Sequence, residues 1–292
     1  METQRVDDGI VAQFFEVLCS FLQRFLFWIL SVGPIPVHIS FIMDGNRRYE
    51  KTRKLEPGMG HRAGYISLMS LLKYCYQLGI KYATVYAFSI DNFKRRPEEV
   101  RILMELLQEK IESLLKAESI VHQYGIRVHF IGNLNLLDDS VRAAAEKAML
   151  ATASNNQAVL CVCIAYTSTD EIAHASTEAS RNIYTEIQSR VTDAADDDDD
   201  LVKSGPQTQE HPAINSEDIT KNMYMAVAPE PDIVLRSSGE TRLSNFLLWQ
   251  TSNSILYSPG ALWPEVGLKH LVWAVLNFQR NYSYLQKIRK QT

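Results

Sequence analysis

The stretch His38-Ile39-Ser40-Phe41-Ile42-Met43-Asp44-Gly45-Asn46-Arg47-Arg48-Tyr49 decides how the rest of the chain is read. An apolar run over 37–43 is short enough for a buried strand and ends at a carboxylate. Gly45, Asn46 and two arginines follow, and after a loop of small and basic residues Gly60-His61-Arg62-Ala63-Gly64 opens a helical pattern. A strand, a tight turn carrying an acid and a helix start together make a natural phosphate and metal site. Backbone N–H groups and the helix dipole attract an anion. Arg47, Arg48, His61 and Arg62 can add charge-assisted hydrogen bonds. Asp44 is the one acid here, and Mg²⁺ favours a carboxylate combined with phosphate oxygens. A plain strand and turn with surface arginines would carry the same letters.

Outward from this stretch, strands and helices alternate. Strands are expected at 82–88, 126–131, 158–166 and 232–236, and helices at 63–78, 97–118, 137–153, from 169 past 180, and 268–285. Such alternation predicts an α/β fold, a mostly parallel central sheet flanked by helices. Ligands of such sheets bind beyond the carboxyl ends of the strands. Asp44, Ser89 and Arg236 each follow an expected strand, so they should share that edge.

The chain has 292 residues, 46% hydrophobic and 22% charged, enough for a substantial core. A net charge of −4 argues against a nucleic-acid partner. Cys19, Cys75, Cys161 and Cys163 lack metal-type spacing and read as reduced core residues. Residues 1–33 hold a dense apolar segment interrupted by Gln13, Glu16, Gln23 and Arg24, which fits neither a spanning helix nor a signal peptide. Phe14, Phe15, Leu18, Phe21, Leu22, Phe25, Leu26 and Ile29 fall at helical spacing. They predict an amphipathic helix on a membrane surface or a partner, with docking on its own domain as the alternative. Gly33-Pro34-Ile35-Pro36 then breaks the helix, and 34–285 reads as one domain with a tail at 286–292. The acidic, low-complexity stretch 191–217 reads as a disordered insertion.

Two more clusters carry chemistry. Ser89, Asn92 and Arg95 lie in a turn that ends where Pro97 can start a helix. Arg236, Arg242 and Ser244 lie in one loop and suit a second diphosphate, unless the arginines merely pair with Glu240 or Asp232.

The motifs Asp-Gly-Asn-x-Arg at 44–48, Gly-His-x-Ala-Gly at 60–64, Phe-Ser-x-x-Asn at 88–92, Arg-x-x-Gly-Glu-x-Arg-x-Ser-Asn-Phe at 236–246 and Leu-Trp-Pro-Glu at 262–265 match in order and spacing. Together they resemble the cis-prenyltransferases, the undecaprenyl and dehydrodolichyl diphosphate synthase family, from about Pro34 to about Tyr284. Gly-Pro-Ile-Pro and Ser-Ser-Gly-Glu-Thr-Arg look like its plant, rubber- and dolichol-type members. The resemblance implies that isopentenyl diphosphate units are added to an allylic diphosphate, usually farnesyl diphosphate, with cis double bonds and Mg²⁺. It implies that Asp44 is the metal-linked carboxylate and that Gly45, Asn46, Arg47, Arg48 and His61 hold the allylic diphosphate. Arg236, Arg242 and Ser244, with Arg95 in support, would hold the isopentenyl diphosphate, and Ser89 and Asn92 would sit near the condensation. Leu103, Met104, Leu106, Leu107 and Ile111 are candidates for the wall of a hydrophobic product tunnel.

Three departures from the family pattern stand out. Ile255 occupies the place of a metal-binding glutamate of the bacterial enzymes, and Arg47 replaces a turn glycine. No Arg-x-Gly follows Phe278-Gln279-Arg280-Asn281-Tyr282-Ser283-Tyr284-Leu285. This resembles eukaryotic catalytic subunits whose Arg-x-Gly comes from a Nogo-B-receptor-like accessory partner. The expected assembly is a dimer or heterotetramer held peripherally at the cytosolic face of the endoplasmic reticulum membrane. A self-sufficient homodimer making shorter products is the alternative. A non-catalytic scaffold subunit fits Asp44, Arg236, Arg242 and Ser244 poorly.

Overall fold

The structure, a computed structural model, describes residues 17–196 and 213–290. Its helices and strands follow in the order α1 (17–30), β1 (His38–Ile42), α2 (Asn46–Arg53), α3 (Met59–Gln77), β2 (Tyr82–Ser89), α4 (Pro97–Leu114), α5 (Ile120–Gln123), β3 (Ile126–Ile131), α6 (Asp139–Ala151), β4 (Ala158–Tyr166), α7 (Ser168–Asp196), α8 (Ser216–Lys221), β5 (Ile233–Arg236), β6 (Ile255–Tyr257) and α9 (Leu268–Arg289). The strands pair in parallel in the order β3-β4-β2-β1-β5-β6. All five residues of β1 are buried. A strand covered on both faces has no solvent side to show, so His38 and Ser40 are buried along with Ile39, Phe41 and Ile42.

The sheet separates two cores. Ile39, Phe41, Val85, Val128, Phe130 and Leu160 face Leu71 and Leu72 of α3, Met104 of α4 and Val275 of α9. On the other face Ile42, Cys161, Cys163, Tyr166 and Val234 pack with Met225, Phe246 and Leu247. Cys75 is buried as expected, but Cys19 is exposed on α1 and belongs to no core.

Several boundaries differ from the sequence reading for identifiable reasons. Residues 46–53, read as loop, form α2; it buries no side chain, so no apolar period marks it. α4 stops at Leu114 because Ser119 Oγ donates to the Leu114 carbonyl at 2.7 Å and caps α5. α7 and α8 enter the 191–217 stretch from both sides, and 197–212 lie outside the described residues. α9 continues to Arg289 through much of the stretch read as a tail, and Arg289 pairs with Asp232 at 2.8 Å.

In α1, Phe27 and Leu30 are buried, and Phe27 meets the Tyr74 ring edge-on at 6.3 Å. Leu18, Phe21, Leu22, Phe25 and Ile29 of the expected apolar face are exposed. Phe14 and Phe15 lie outside the described residues. Among the described residues, no helix is long and apolar enough to cross a membrane.

The start of β1 is pinned by Asp232, which accepts from the N–H groups of Val37 at 2.6 Å and His38 at 3.1 Å. The His38 ring, fully buried, bonds the Pro229 carbonyl at 2.6 Å and Thr84 Oγ1 at 2.7 Å. Burial pushes the His38 pKa down to about 4, against the pull of the Pro229 carbonyl and Asp232. Above its ordinary value of 6.5 this ring is neutral in folded and unfolded chain alike. As pH falls from there toward about 4, the unfolded chain takes a proton that the folded chain refuses. His38 should therefore cost about 3 kcal/mol of stability across that window. Urea unfolding between about pH 7 and about pH 4 checks this, and His38→Gln should flatten that part of the slope.

Candidate active site

The register sets the site. Ile42 of β1 lies level with Tyr86 of β2 and with Arg236 of β5. The carboxyl ends of three adjacent strands therefore bring Asp44, Ser89 and Arg236 to one edge, as the sequence order implied. The Asp44 carbonyl is held three ways, by Ser237 Oγ at 2.6 Å, Ser238 Oγ at 2.8 Å and the Trp263 N–H at 3.0 Å. Its carboxylate accepts from Arg236 Nη2 at 2.9 Å and Arg48 Nη2 at 3.1 Å. Burial alone would push the Asp44 pKa up; the bonds from Arg236 and Arg48 outweigh it and hold the carboxyl below its ordinary value. The Arg236 side chain is 8% exposed. It also donates to Ser244 Oγ at 2.6 Å and to the Arg242 carbonyl, and its Nε has no partner.

Gly45 caps α2 at φ 109°, and a Cβ there would lie 2.6 Å from Ser238 Oγ. The helix carries no side-chain cap and no acid in its first turn. The anion-attracting helix start thus belongs to α2 rather than to the Gly60 segment. That segment has a different task. A Cβ on Gly60 would meet the Asn46 carbonyl at 2.2 Å, and one on Gly64 would meet Asn46 Oδ1 at 2.2 Å. Glycines at these positions let α3 press against the turn. Asn46 donates to the Met43 carbonyl at 3.2 Å, while its buried Oδ1 has no partner.

Arg47 and Arg95 both reach Glu99 of α4, at 3.2 and 2.9 Å. His61 lies in their field, and its pKa is lowered by burial first and by the Arg95 charge second. Arg95, read with the Arg236 group, stands instead with Arg47 and His61. Ser89 and Asn92 form a reciprocal cap on the turn after β2. Arg242, exposed at the rim of the cleft, pairs with Glu240, the structural pairing weighed for this loop; its carbonyl and Ser244 remain on Arg236.

These groups ring a cleft of about 470 Å³ whose lining includes Asp44, Asn46, His61, Ser89, Asn92, Arg95, Arg236, Arg242 and Ser244. Its inner wall is apolar, with Leu68, Leu103, Leu106, Leu107, Ile111 and Phe130. Met104 does not line it; it is a buried core residue of α4. A polar mouth over an apolar interior suits a molecule with an anionic head and a hydrocarbon tail.

Sequence reasoning missed four supports. Glu99 lacks a motif signal, and Ser237 and Ser238 read only as a turn. Glu171 is fully buried and accepts from Tyr166 Oη at 2.5 Å, the Met225 N–H at 2.8 Å and Gln250 Nε2 at 3.1 Å. It fastens the first turn of α7 to the loop bearing Ser244. In that loop Ser244, Asn245 and Leu247 hold left-handed backbone at φ 51°, 59° and 47°. The Ser168 N–H reaches the Asn245 carbonyl at 2.8 Å, and the Leu248 N–H reaches Ser168 Oγ at 2.9 Å.

Comparison with known proteins agrees with this geometry. The undecaprenyl diphosphate synthase family of prenyltransferases matches residues 42–285. Dehydrodolichyl diphosphate synthase 6 of Arabidopsis thaliana is 60% identical over 97% of this chain and 96% of its own. The human dehydrodolichyl diphosphate synthase complex subunit is 40% identical over 92% of this chain and 75% of its own. Lavandulyl diphosphate synthase from Lavandula x intermedia, solved with dimethylallyl diphosphate, shares the fold at a TM-score of 0.70 and 24% identity, over 84% of this chain and 95% of that one. With that family match spanning both arginine clusters and the turn between them, the chain belongs to the cis-prenyltransferases, enzymes that transfer prenyl groups.

Proposed function

We propose that this chain elongates an allylic diphosphate, farnesyl diphosphate, with isopentenyl diphosphate units to give a long-chain cis-polyprenyl diphosphate. The observation that carries this reading is Asp44, whose carboxylate touches one arginine from each cluster at the mouth of an apolar cleft. On this reading the allylic diphosphate lies over the Gly45–Asn46 turn, met by the α2 N–H groups, Arg47, Arg48, His61 and Arg95. The isopentenyl diphosphate lies on Arg236, Arg242 and Ser244. Five arginines against Asp44, Glu99 and Glu240 leave an excess of positive charge to stabilise the departing diphosphate. The isopentenyl double bond attacks the carbon losing its diphosphate, and loss of a proton leaves the new cis double bond. Ser89 and Asn92 position the reacting alkene, and the leucines of α4 keep water from the cation-like centre.

Mg²⁺ fits the donor set as an ion shared with substrate. Among the described residues, no group of three His, Cys, Asp or Glu side chains is placed to hold a metal. Ile255, at the position of the family glutamate, is a half-buried residue packed on the core. Asp44 is thus the protein carboxylate that would hold the ion, with diphosphate oxygens completing its shell. When bound, the ion would neutralise charge on the leaving group.

A Nogo-B-receptor-like partner is part of the same proposal, supported by a human relative named as a complex subunit. Peripheral attachment to the endoplasmic reticulum through α1 is the matching location. Full long-chain activity from the purified chain alone, measured as incorporation of labelled isopentenyl diphosphate, would overturn the partner requirement. Asp44→Asn should lower kcat at least about a thousandfold in a chain that still folds by circular dichroism, with a melting temperature some degrees lower because Arg236 loses the anion it pairs with. Wild-type turnover in that variant would remove Asp44 from the mechanism. Glu171→Ala should raise the KM for isopentenyl diphosphate about tenfold while barely moving that for the allylic substrate, since its partners Tyr166, Met225 and Gln250 lie on the side of the Ser244 loop and none belongs to the Gly45 turn. Steady-state kinetics with each substrate varied in turn measures the split.

A further inference from the structure

A second cavity lies on the far side of α3 from the active-site cleft. It is a groove of about 720 Å³ between α1 and α3, lined by Ser20, Gln23, Arg24, Phe27, Trp28, Ser31, Ser70, Lys73, Tyr74, Gln77 and Leu78. Its character is opposite to that of the cleft. Two cations, Arg24 and Lys73, and several hydrogen-bonding side chains line it, and no acidic residue does. Neither cation pairs with a carboxylate among the described residues. Gln23 Nε2 donates to Gln77 Oε1 at 2.7 Å and ties the two helices together across it. The floor, Phe27 and Leu78, is buried.

Beside the groove runs the exposed stripe of α1, where Phe21 and Trp28 are each 64% exposed and Phe25 is 50% exposed. Trp28 belongs to both surfaces, because it lines the groove and stacks on Phe25 at 5.8 Å. Aromatic rings next to unpaired cations form the pattern of a helix lying in a bilayer interface, apolar side in the acyl boundary and cations at headgroup level.

We propose that this groove is a binding site for the anionic headgroup of a membrane phospholipid, with Arg24 and Lys73 on its phosphate. Phe21, Phe25 and Trp28 enter the adjoining acyl layer. This gives the membrane contact of α1 a polar specificity that the apolar stripe alone lacks. It concerns a surface remote from the diphosphate site, so it stands or falls independently of the reaction assigned there.

The test is co-sedimentation of the full chain with phosphatidylcholine vesicles, with and without about a third phosphatidylserine. Wild type should prefer the anionic vesicles, and the preference should fade with salt. Arg24→Gln with Lys73→Gln should weaken anionic-vesicle binding on the order of twentyfold, leaving neutral-vesicle binding unchanged. Phe21→Ser with Trp28→Ser should weaken both. Circular dichroism and turnover of water-soluble substrates should match wild type in each variant. Inorganic phosphate at matched ionic strength should compete for Arg24 and Lys73 and bring anionic-vesicle binding down toward the neutral-vesicle level and no further; phosphate binding by the chain, measured by calorimetry, without any preference for anionic vesicles would make the site one for free phosphate and overturn the lipid assignment. Equal binding to neutral and anionic vesicles, or no loss in the Arg24 and Lys73 double variant, would likewise overturn it.

Discussion

The contact on which the site depends is the ion pair between Asp44 and Arg236, made at the carboxyl ends of two neighbouring strands. A guanidinium so nearly buried needs partners for its charge, and removing one partner of such a pair leaves the other stranded at a cost of several kcal/mol. The sheet provides the partners by register: β1 ends in the acid, β5 ends in the base, and the loop after β5 returns Ser244 and a carbonyl to the same guanidinium. The Nε of Arg236, buried without a partner, leaves the set incomplete.

Around that pair the protein fixes backbone rather than side chains. Three donors converge on the Asp44 carbonyl, so the carboxylate cannot drift without breaking bonds from two separate loops. Gly60 and Gly64 bring α3 into contact with the turn. Trp263 closes the arrangement, with its indole N–H on the Gly64 carbonyl at 2.9 Å and its ring against Phe41 at 5.9 Å. Tight packing of this kind transmits small displacements instead of absorbing them. It gives a physical reason for distant motifs to occur together: Leu-Trp-Pro-Glu and Ser-Ser-Gly act on the acid after β1.

This division decides what could be read in the sequence. Strand ends and arginines were legible, because apolar runs and motif spacing report them directly. Asp44, Ser89 and Arg236 accordingly meet at the expected edge. α2 was not legible, since a two-turn helix with no buried face has no period. The pairing of Arg47 and Arg95 through Glu99 was hidden because it links residues 52 and 4 positions apart along two different elements. Glu171 was hidden for the same reason: an acid at a helix start reads as dipole complement, and only the tertiary structure turns it into a buried acceptor for Met225 and, through Gln250, for the Ser244 loop. Exposure of Cys19 was obscured by the apolar company it keeps on α1.

The two cavities share α3, and that placement has a consequence for an enzyme with an oily product. Gly64, Tyr65, Leu68 and Met69 of α3 line the catalytic cleft, and Ser70, Lys73, Tyr74 and Gln77 line the groove toward α1. Helical spacing puts these sets on different sides of one rod. The helix is therefore a rigid spacer between the chemistry and the exposed apolar stripe. If α1 rests on a bilayer, α3 holds the cleft at a fixed distance and angle from it, without a hinge. A growing hydrocarbon has a strong preference for lipid over water. A geometry that keeps the cleft near the surface while keeping the diphosphate groups in their charged mouth serves both halves of such a molecule.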